Sequence, residues 1–365
     1  MADDASVVSS SAAPASVPAA DSRTPAPDAR ADWARAFAPA TVSNVGCGFD
    51  TLGFAIASPG DVVTVERRSR PGIEIDDIHG DGGVLPRDPA RNTASVAVSS
   101  LLRHLRAADV RDGVGRSLRD VGLRLTIHKN MPLTSGLGSS AASGVAALVA
   151  TVRLLGVAAS RPTLLRCAAE AEQAACGSAH ADNAAPSLYG GFVLVRADDP
   201  GDVITLPTPA GVWCAVVRPH MGLDTREGRD LLGDTVTRRQ AVVQASNLAG
   251  LVAGLYRGDL DLVARVLYDV IAEPKRAHLV PGFEEARDGA LRSGAFAAGL
   301  SGSGPSLFAL GRTRSDAERA SSAMVAAFKR QGMASDRHFS ILGAGGARVL
   351  DVGHGTPPDA LPPVR

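Results

Sequence analysis

The stretch GLGSSAAS, residues 136–143, lies between the segment TIHKNMPLTS (126–135) and the apolar segment GVAALVATVRLLG (144–156). Its two glycines and three serines mark the point where a predicted strand gives way to a predicted alanine-rich helix. The first turn of a helix has backbone N–H groups without partners and a partial positive charge, so it attracts anions. Glycines let the backbone approach a phosphate closely, and serines can cap a helix or bind a metal ion that bridges phosphates.

This stretch by itself leaves two interpretations open. It lacks the lysine of the GxxxxGK[ST] phosphate loop and is therefore not a Walker A motif. A phosphate-binding helix start and an ordinary serine-capped helix start fit these eight residues equally well. The remainder of the chain has to decide between them.

The composition excludes several classes of function. The chain has 365 residues, of which 45% are hydrophobic, and its 38 Lys and Arg balance its 38 Asp and Glu. A net charge of zero gives no general attraction to nucleic acids or acidic membranes, and 4% aromatic residues are too few for a base-stacking surface. The longest apolar run, residues 145–160, is interrupted by Arg153 and is too short to span a bilayer. We therefore expect neither a nucleic-acid nor a membrane partner.

The cysteines indicate the compartment. They form no CxxC pair and have no histidine at zinc spacing, which predicts free, mostly buried thiols in a reducing cytoplasm. The four are Cys47, Cys167, Cys176 and Cys214.

Composition also divides the chain into regions. Residues 1–36 are rich in Ala, Ser, Pro and Asp, which predicts a disordered N-terminal tail, and the folded part is expected to begin at Phe37. Residues 37–200 and 201–352 are predicted to form two domains, and 353–365 a flexible C-terminal tail. Strand and helix patterns alternate without the regular βαβ period of a doubly wound sheet, so the fold class is expected to be α+β.

Local patterns predict the individual elements. Strands are expected at DVVTVERR after a turn at SPGD (58–61), and at GLRLTIHK, GGFVLVRADD and GVWCAVVRPH. FAAGLSGSGPSLFALG (296–311) reads as strand–turn–strand, and a final strand pair is expected near 339–350. Helices are predicted over 92–106, 139–155, LLRCAAEAEQAAC (164–176), 230–255, 259–271 and 316–330.

Two further glycine-rich segments accompany GLGSSAAS, and the three are numbered in chain order as the first (43–53), the second (132–143) and the third (299–310). SNVGCGFDTLG (43–53) and GLSGSGPSLFAL (299–310) each read, when taken singly, as a glycine turn. Taken together with PLTSGLGSSAAS (132–143), their order and content resemble the three signature motifs of the GHMP kinases. This resemblance favours phosphate binding at GLGSSAAS. It implies an N-terminal ATP-binding domain like ribosomal protein S5 and a C-terminal ferredoxin-like domain.

Within this family the chain is most similar to the homoserine kinases. The resemblance rests on the opening APATVSNVGCGFDTLGFA and on AHADNAAPSLYGG (179–191), TREGR (225–229) and EPKRAHLVPGF (273–283). It implies transfer of the γ-phosphate of ATP to the hydroxyl of L-homoserine, in threonine biosynthesis, with Mg²⁺ as cofactor. A cytoplasmic homodimer is the expected assembly.

The resemblance also implies roles for particular residues. Residues Pro132 to Ser143 would wrap the ATP phosphates, Asn92 would lie near the adenine, and Ser140 and Glu172 would hold Mg²⁺. Arg229 and Arg276 would bind the substrate carboxylate, because a guanidinium matches it in a fork geometry. The residues implied for the rest of the substrate pocket are Asp50 at the ammonium, Asn183 near the reacting hydroxyl, and Asn44 and His180.

Two departures from the family pattern are visible. Cys47 stands where many homoserine kinases have proline, and Lys275 stands where an aromatic residue is common. The first would affect loop stiffness and the second the substrate pocket.

The implied mechanism is positional. Asn183 cannot accept a proton, so catalysis is expected to come from orientation and electrostatics, with Ser140, Glu172 and Asn183 as the catalytic set. Two alternatives remain: a GHMP kinase acting on another small hydroxyl compound, and a non-catalytic relative that binds a ligand as a regulator. The charged set Asp50, Arg229 and Arg276 speaks against the first, and the intact metal site speaks against the second.

Overall fold

The computed structural model describes residues 30–177, 181–223 and 225–362. Within these ranges it contains two mixed layers of strands and helices, as the predicted α+β class requires. The strands are β1 (Trp33–Ser43), β2 (Leu52–Arg68), β3 (Gly72–His79), β4 (Gly122–His128), β5 (Phe192–Arg196), β6 (Asp199–Leu206), β7 (Trp213–Pro219), β8 (Ala295–Leu300), β9 (Leu307–Gly311), β10 (Ser335–Ile341) and β11 (Arg348–Gly353).

The helices lie on these sheets or between their strands. They are α1 (Thr93–Ala107), α2 (Ser139–Leu155), α3 (Arg161–Cys176), α4 (Ala181–Tyr189), α5 (Thr225–Asp230), α6 (Arg238–Arg257), α7 (Leu260–Val266), α8 (Glu273–Arg276), α9 (Phe283–Arg292) and α10 (Arg314–Arg330). Within the described ranges, no helix is both long and apolar enough to cross a membrane.

The first sheet has seven strands, and most of the core lies against it. Its main path runs β11-β1-β2-β4-β3, with β5 paired to β2 and β6 to β5. All pairs are antiparallel except β3 with β4. Helix α2 is buried at 13 of its 17 positions, because its alanine-rich sequence lets it pack on all sides between the sheet and α1, α3 and α4.

The second sheet is a four-stranded antiparallel layer in the order β10-β7-β9-β8. Along the chain, β7, α9, β8, β9, α10 and β10 follow the β-α-β-β-α-β order of a ferredoxin-like unit, as expected. Helices α9 and α10 bury Ala286, Phe283 and Phe328 against this sheet. Helices α5 to α8 are inserted between β7 and α9, and they bring residues 225–276 towards the first domain.

Several expected boundaries are wrong. Strand β1 begins at Trp33 rather than Phe37, because it lies between β11 and β2 and all 11 of its residues are buried. The first sheet runs on to Leu206, so the domain boundary falls between β6 and β7 rather than at residue 200. The expected helix over 230–255 starts at Arg238, where Thr237 forms a capping box with Gln240.

The predictions of a turn at 58–61 and of a final strand pair are also wrong. Residues 58–61 lie inside β2, at a break in its pairing register with β1. The last two strands do not pair with each other: β10 pairs with β7, and β11 returns to β1 in the first sheet. Beyond β11 the chain is held by Arg35, which donates to the carbonyls of Pro358 (2.6 Å) and Ala360 (3.1 Å).

Candidate active site

A cavity of about 570 Å³ lies where the two sheets meet, which is a common size for a small-molecule site. The three glycine-rich segments and helices α3, α4, α5 and α8 all reach it. The predicted site residues that line it are Asn44, Asp50, Asn92, Leu133, Thr134, Ser135, Gly136, Leu137, Gly138, Ser139, Ser140, Ala141, Ser143, Glu172, Asn183, Arg229 and Arg276.

Of the predicted residues that the structure describes, two are not part of this lining. Ala142 is fully buried in the core on the inner face of α2. Pro132 precedes the part of the loop that reaches the cavity. His180 lies outside the described residues.

The second and third glycine-rich segments pack against each other. Ser301 donates its hydroxyl to the carbonyl of Gly136 (2.7 Å), and Ser306 donates to that of Ser135 (2.6 Å). Gly136 has φ +72°, and a Cβ there would lie 2.5 Å from the carbonyl oxygen of Ser301. Glycine is therefore required at 136 both by conformation and by the approach of the other loop.

The first turn of α2 has no side-chain cap among the described residues. Its N-cap is Gly138, with φ +69°. The serine hydroxyls expected to cap the helix are engaged elsewhere: those of Ser139 and Ser143 donate to Asp61, and that of Ser140 bonds with Thr93. The first turn of α2 therefore lines the cavity with no side-chain cap on its N–H groups, an arrangement suited to an anion.

A buried ion pair lies beneath this helix start. Lys129 donates to the carboxylate of Asp61, to the Ser139 carbonyl (2.9 Å) and to the Ser143 hydroxyl (2.8 Å). The side chains of Lys129 and Asp61 are 2% and 0% exposed, so the pair fixes the helix start rigidly to β2 and β4. The sequence analysis assigned no role to either residue.

Glu172 and Ser140 form the candidate metal site. Glu172 on α3 and Ser140 on α2 both line the cavity; burial raises the pKa of the Glu172 carboxyl to about 7, and Ser140 opposes this shift. The Oε1 atom of Glu172 is buried without a hydrogen-bond partner in the described part of the chain. Mg²⁺ typically takes one or two protein oxygens together with substrate phosphates and water, so these two residues fit that ion.

The first glycine-rich segment is shaped by Asn44. This residue has φ +66°, and Asp50 has φ +54°. The amide of Asn44 donates to the Gly302 carbonyl (2.9 Å) and accepts from the Asp50 N–H (2.9 Å). Asn44 therefore positions Asp50 and joins the first segment to the third, rather than presenting a free amide to the cavity.

Asp50, Arg229 and Arg276 form the charged end of the cavity. Arg229 Nη2 donates to both carboxylate oxygens of Asp50, at 3.1 and 2.9 Å. Arg276 is 3% exposed and donates to the Gly228 carbonyl (2.9 Å), and its guanidinium lies 5.4 Å from the ring centroid of Phe49. The Nε atom of Arg229 is buried without a hydrogen-bond partner in the described ranges, which leaves it available to an anionic ligand.

Asn183 lies between these two ends. Its Oδ1 accepts from Thr41 (2.9 Å), and its Nδ2 donates to Ser43 (3.1 Å). A Cβ on Gly138 would lie 2.7 Å from Asn183 Oδ1, so Asn183 is close to the phosphate loop. The adjacent Asp182 is buried and also lines the cavity, although the sequence analysis gave it no role.

Asn92 has a structural function that its sequence position did not reveal. It is the N-cap of α1, where its Oδ1 accepts from the Ala94 N–H (3.0 Å) and its Nδ2 donates to the Pro86 carbonyl (3.1 Å). Its amide is therefore committed to holding the 84–91 loop against α1. The side chains that extend the cavity on this side are Val84, Leu85, Pro86, Ala90 and Arg91.

The two departures from the family pattern have local consequences. Cys47 is 1% exposed, and burial raises the pKa of its thiol to about 12, so it is a neutral packing residue. Lys275 does not line the cavity and donates instead to the Leu232 carbonyl.

Comparison with known proteins identifies the family of this chain. Family models described as "GHMP kinases N terminal domain" and "GHMP kinases C terminal" match residues 95–191 and 251–330. A homoserine kinase of Chlorobium phaeobacteroides is 45% identical over 322 residues, which cover 87% of this chain and 99% of that protein. One of Chlorobaculum tepidum is 45% identical over 320 residues, covering 86% and 97%.

A solved structure of a homoserine kinase is also similar to this chain. The crystal structure of homoserine kinase from Cytophaga hutchinsonii superposes with a TM-score of 0.81 at 44% identity, covering 87% of this chain and 98% of that one. L. major mevalonate kinase, at 17% identity and a TM-score of 0.60, shares the fold. With both GHMP kinase domains matched and homoserine kinases 45% identical over most of its length, this chain belongs to the homoserine kinases of the GHMP kinase family.

Proposed function

We propose that this chain transfers the γ-phosphate of ATP to the hydroxyl of L-homoserine, giving O-phospho-L-homoserine for threonine biosynthesis. One observation carries the proposal. A single cavity joins an uncapped helix start, suited to phosphates, with a set of two guanidinium groups and a carboxylate, suited to an amino acid.

The charged end fits a zwitterion. Asp50 and Arg229 form an ion pair, with 2.9 Å between Arg229 Nη2 and Asp50 Oδ2. A bound amino acid would replace this pair by two others, its ammonium with Asp50 and its carboxylate with Arg229 and Arg276. A neutral sugar would offer no compensation for breaking the Asp50–Arg229 pair, so the pocket favours the amino acid.

The other end fits the phosphates. Residues 133–141 and 143 would surround the ATP phosphates, with the N–H groups of α2 directed at them. Ser140 and Glu172 would hold Mg²⁺, and the bound ion would neutralise charge on the phosphates. The unpartnered Oε1 of Glu172 supports this assignment.

Asn183 would orient the reacting hydroxyl. Thr41 and Ser43 fix both ends of its amide, so its orientation is set before substrate binds. The substrate oxygen would attack the γ-phosphorus in line, the bond to the β-phosphate oxygen would break, and the hydroxyl proton would leave late, to the transferred phosphate. Because the transition state is loose, orientation and charge stabilisation can supply most of the catalysis.

We also propose that the enzyme is a cytoplasmic homodimer. The buried free thiols of Cys47, Cys167 and Cys214 support a reducing compartment. A two-fold dimer is the commonest assembly of such enzymes, and light scattering of the purified protein would measure it.

The test is ATP consumption by the purified protein across L-homoserine, L-serine, L-threonine, mevalonate and galactose, with and without Mg²⁺. We expect turnover with L-homoserine only, lost without Mg²⁺, and a phosphomonoester product by ³¹P NMR. Turnover confined to mevalonate or galactose would refute the substrate assignment but keep the phosphate site. ATP binding without any turnover would favour the regulatory alternative.

A further inference from the structure

Asp182 is a buried carboxylate in the cavity wall for which the proposed reaction has so far no use. It lies in the first turn of α4, and its residue is 2% exposed. The side-chain amide of Asn183 donates to its Oδ1 at 3.4 Å. Ser43 and the backbone of Asn44 also stabilise its charge, and Asn44 belongs to the first glycine-rich segment, which carries Asp50.

Asp182 has one other carboxylate and two guanidinium groups near it. Asp50 faces it from the first segment, Arg229 from α5 and Arg276 from α8. Within the described residues Asp182 forms no ion pair within 4.0 Å, whereas Arg229 donates to both oxygens of Asp50. Burial, and next the charge of Asp50, raise the pKa of Asp182 to about 7. A buried carboxylate beside a second one is stabilised by a cation, and the guanidinium of Arg229 is already bonded to Asp50.

We propose that Asp182 is the second carboxylate for the ammonium group of the substrate, and that it determines specificity for an amino acid over the corresponding hydroxy acid. The inference rests on the proposed function, because it assumes an amino-acid substrate at this end of the cavity. Two carboxylates, Asp50 and Asp182, then match the ammonium, and two guanidinium groups, Arg229 and Arg276, match the carboxylate. The site is a charge quartet complementary to a zwitterion.

The first experiment compares two substrates that differ only in the amine. The kcat/KM values for L-homoserine and 4-hydroxybutanoate are measured for the wild-type enzyme and for Asp182→Asn, which keeps the oxygen acceptor for Asn183. We expect the selectivity ratio for L-homoserine over 4-hydroxybutanoate to fall roughly 10- to 100-fold in the variant, mainly through KM for L-homoserine. A residue with only a structural role would lower both values equally and leave the ratio unchanged, which would overturn the proposal.

The second experiment needs no variant. Calorimetric titration at pH 7, in two buffers of different ionisation enthalpy and without nucleotide or Mg²⁺, measures the protons released on binding. An ammonium beside Asp182 lowers its pKa, so L-homoserine should release a measurable fraction of a proton, and 4-hydroxybutanoate should not. Where Asp182→Asn folds, it should release the same number of protons with both ligands. Subtracting its proton release from that of the wild type removes the contribution of other titrating groups.

The outcomes separate the two proposals. Equal proton release with both ligands, or a fall in kcat with KM unchanged, overturns the role of Asp182 while the kinase activity stands. Absence of any turnover of L-homoserine by the wild-type enzyme overturns the proposed function, and the role of Asp182 with it.

Discussion

The hydroxyl of Ser140 is held in place by a residue of another helix. Thr93, the first residue of α1, has its Oγ1 2.9 Å from Ser140 Oγ, and Ser140 is the proposed partner of Glu172 in holding the metal ion. Groups that orient a metal ligand without touching the metal influence metal affinity strongly. Thr93 is therefore a positioning residue for the proposed Mg²⁺ site.

Replacing Thr93 should raise the Mg²⁺ concentration needed for activity. In Thr93→Val, which keeps the shape of the side chain, we expect the half-saturating Mg²⁺ concentration to rise roughly 10-fold or more. Thr93→Ser keeps the hydroxyl and is the matched control, with an expected change of less than about 3-fold. Titration of kinase activity with Mg²⁺ measures both, and identical curves for the two variants would contradict the role.

Glu273 links pH to stability at a site away from the phosphates. Its carboxylate accepts from the Leu300 N–H (2.9 Å) and lies 3.8 Å from Arg287, and burial raises its pKa from 4.5 to about 6. As the pH rises above 4.5 the unfolded chain loses this proton first, so folding is progressively disfavoured until the folded carboxyl has also ionised, near pH 6.

Glu273→Gln should remove this pH dependence. A pKa of about 6 against an ordinary 4.5 corresponds to roughly 2 kcal/mol. Between pH 4 and pH 7 we expect the free energy of unfolding of the wild type to fall by about that amount relative to the variant. Urea unfolding of both proteins across this range measures the difference, and parallel curves would refute the prediction.

At the scale of elements, the site depends on the contact between two loops from different sheets. The phosphate loop between β4 and α2 and the glycine turn between β8 and β9 bond through Ser301 and Ser306. Asn44 adds a third loop to the same contact through the Gly302 carbonyl. The proposed phosphate site therefore forms only when both domains are folded and packed against each other.

Gly136→Ala should break this contact, and Gly191→Ala is its matched control. Both glycines have positive φ, +72° and +67°, but a Cβ at 191 would meet nothing within 4 Å. We expect a loss of about 1–2 kcal/mol of stability at 191 from conformation alone. The loss should be larger at 136, together with at least a roughly 10-fold weaker affinity for ATP, because the loop must move. Thermal unfolding and nucleotide titration measure the two effects, and equal losses would show that the loop contact is unimportant.

At the scale of the whole molecule, the end of the chain completes the first sheet. Strand β11 pairs with β1 from Trp33 to Phe37. Along the chain, the second domain is therefore inserted between β6 and β11, which both belong to the first sheet. The segment beyond it is fastened by the bonds from Arg35 to the carbonyls of Pro358 and Ala360. Folding of the first domain therefore needs the last part of the chain.

Two truncations test this. Ending the chain after Gly353 removes the contacts of Arg35 with Pro358 and Ala360 and those of Asp32 with His354 and Gly355, and should cost about 1–3 kcal/mol. Ending it after Leu342 removes β11 and exposes the edge of β1, so we expect an unfolding midpoint lower by roughly 10 °C or more, or an insoluble protein. Comparison of the two by thermal unfolding makes the check, and similar midpoints would show that β11 is dispensable.

The sequence by itself determined the elements whose signals are local. Helix α2 has the predicted bounds, because Gly138 and Gly156 end it in left-handed conformation and the alanines between them favour helix. Strand β4 follows from its alternating pattern, and the three glycine-rich motifs identified the family. These features depend on neighbouring residues only, so they can be predicted without knowing the fold.

The tertiary structure alone decided the remainder. The pairing of Lys129 with Asp61 joins residues 68 positions apart, and the return of β11 to β1 joins the two ends of the chain. Asn92, predicted to lie near the adenine, lines the cavity and also caps α1, while Asp182 showed no role until burial placed it near Asp50 and the two arginines. Charge balance and burial depend on which distant residues meet, and a local pattern contains no information about that.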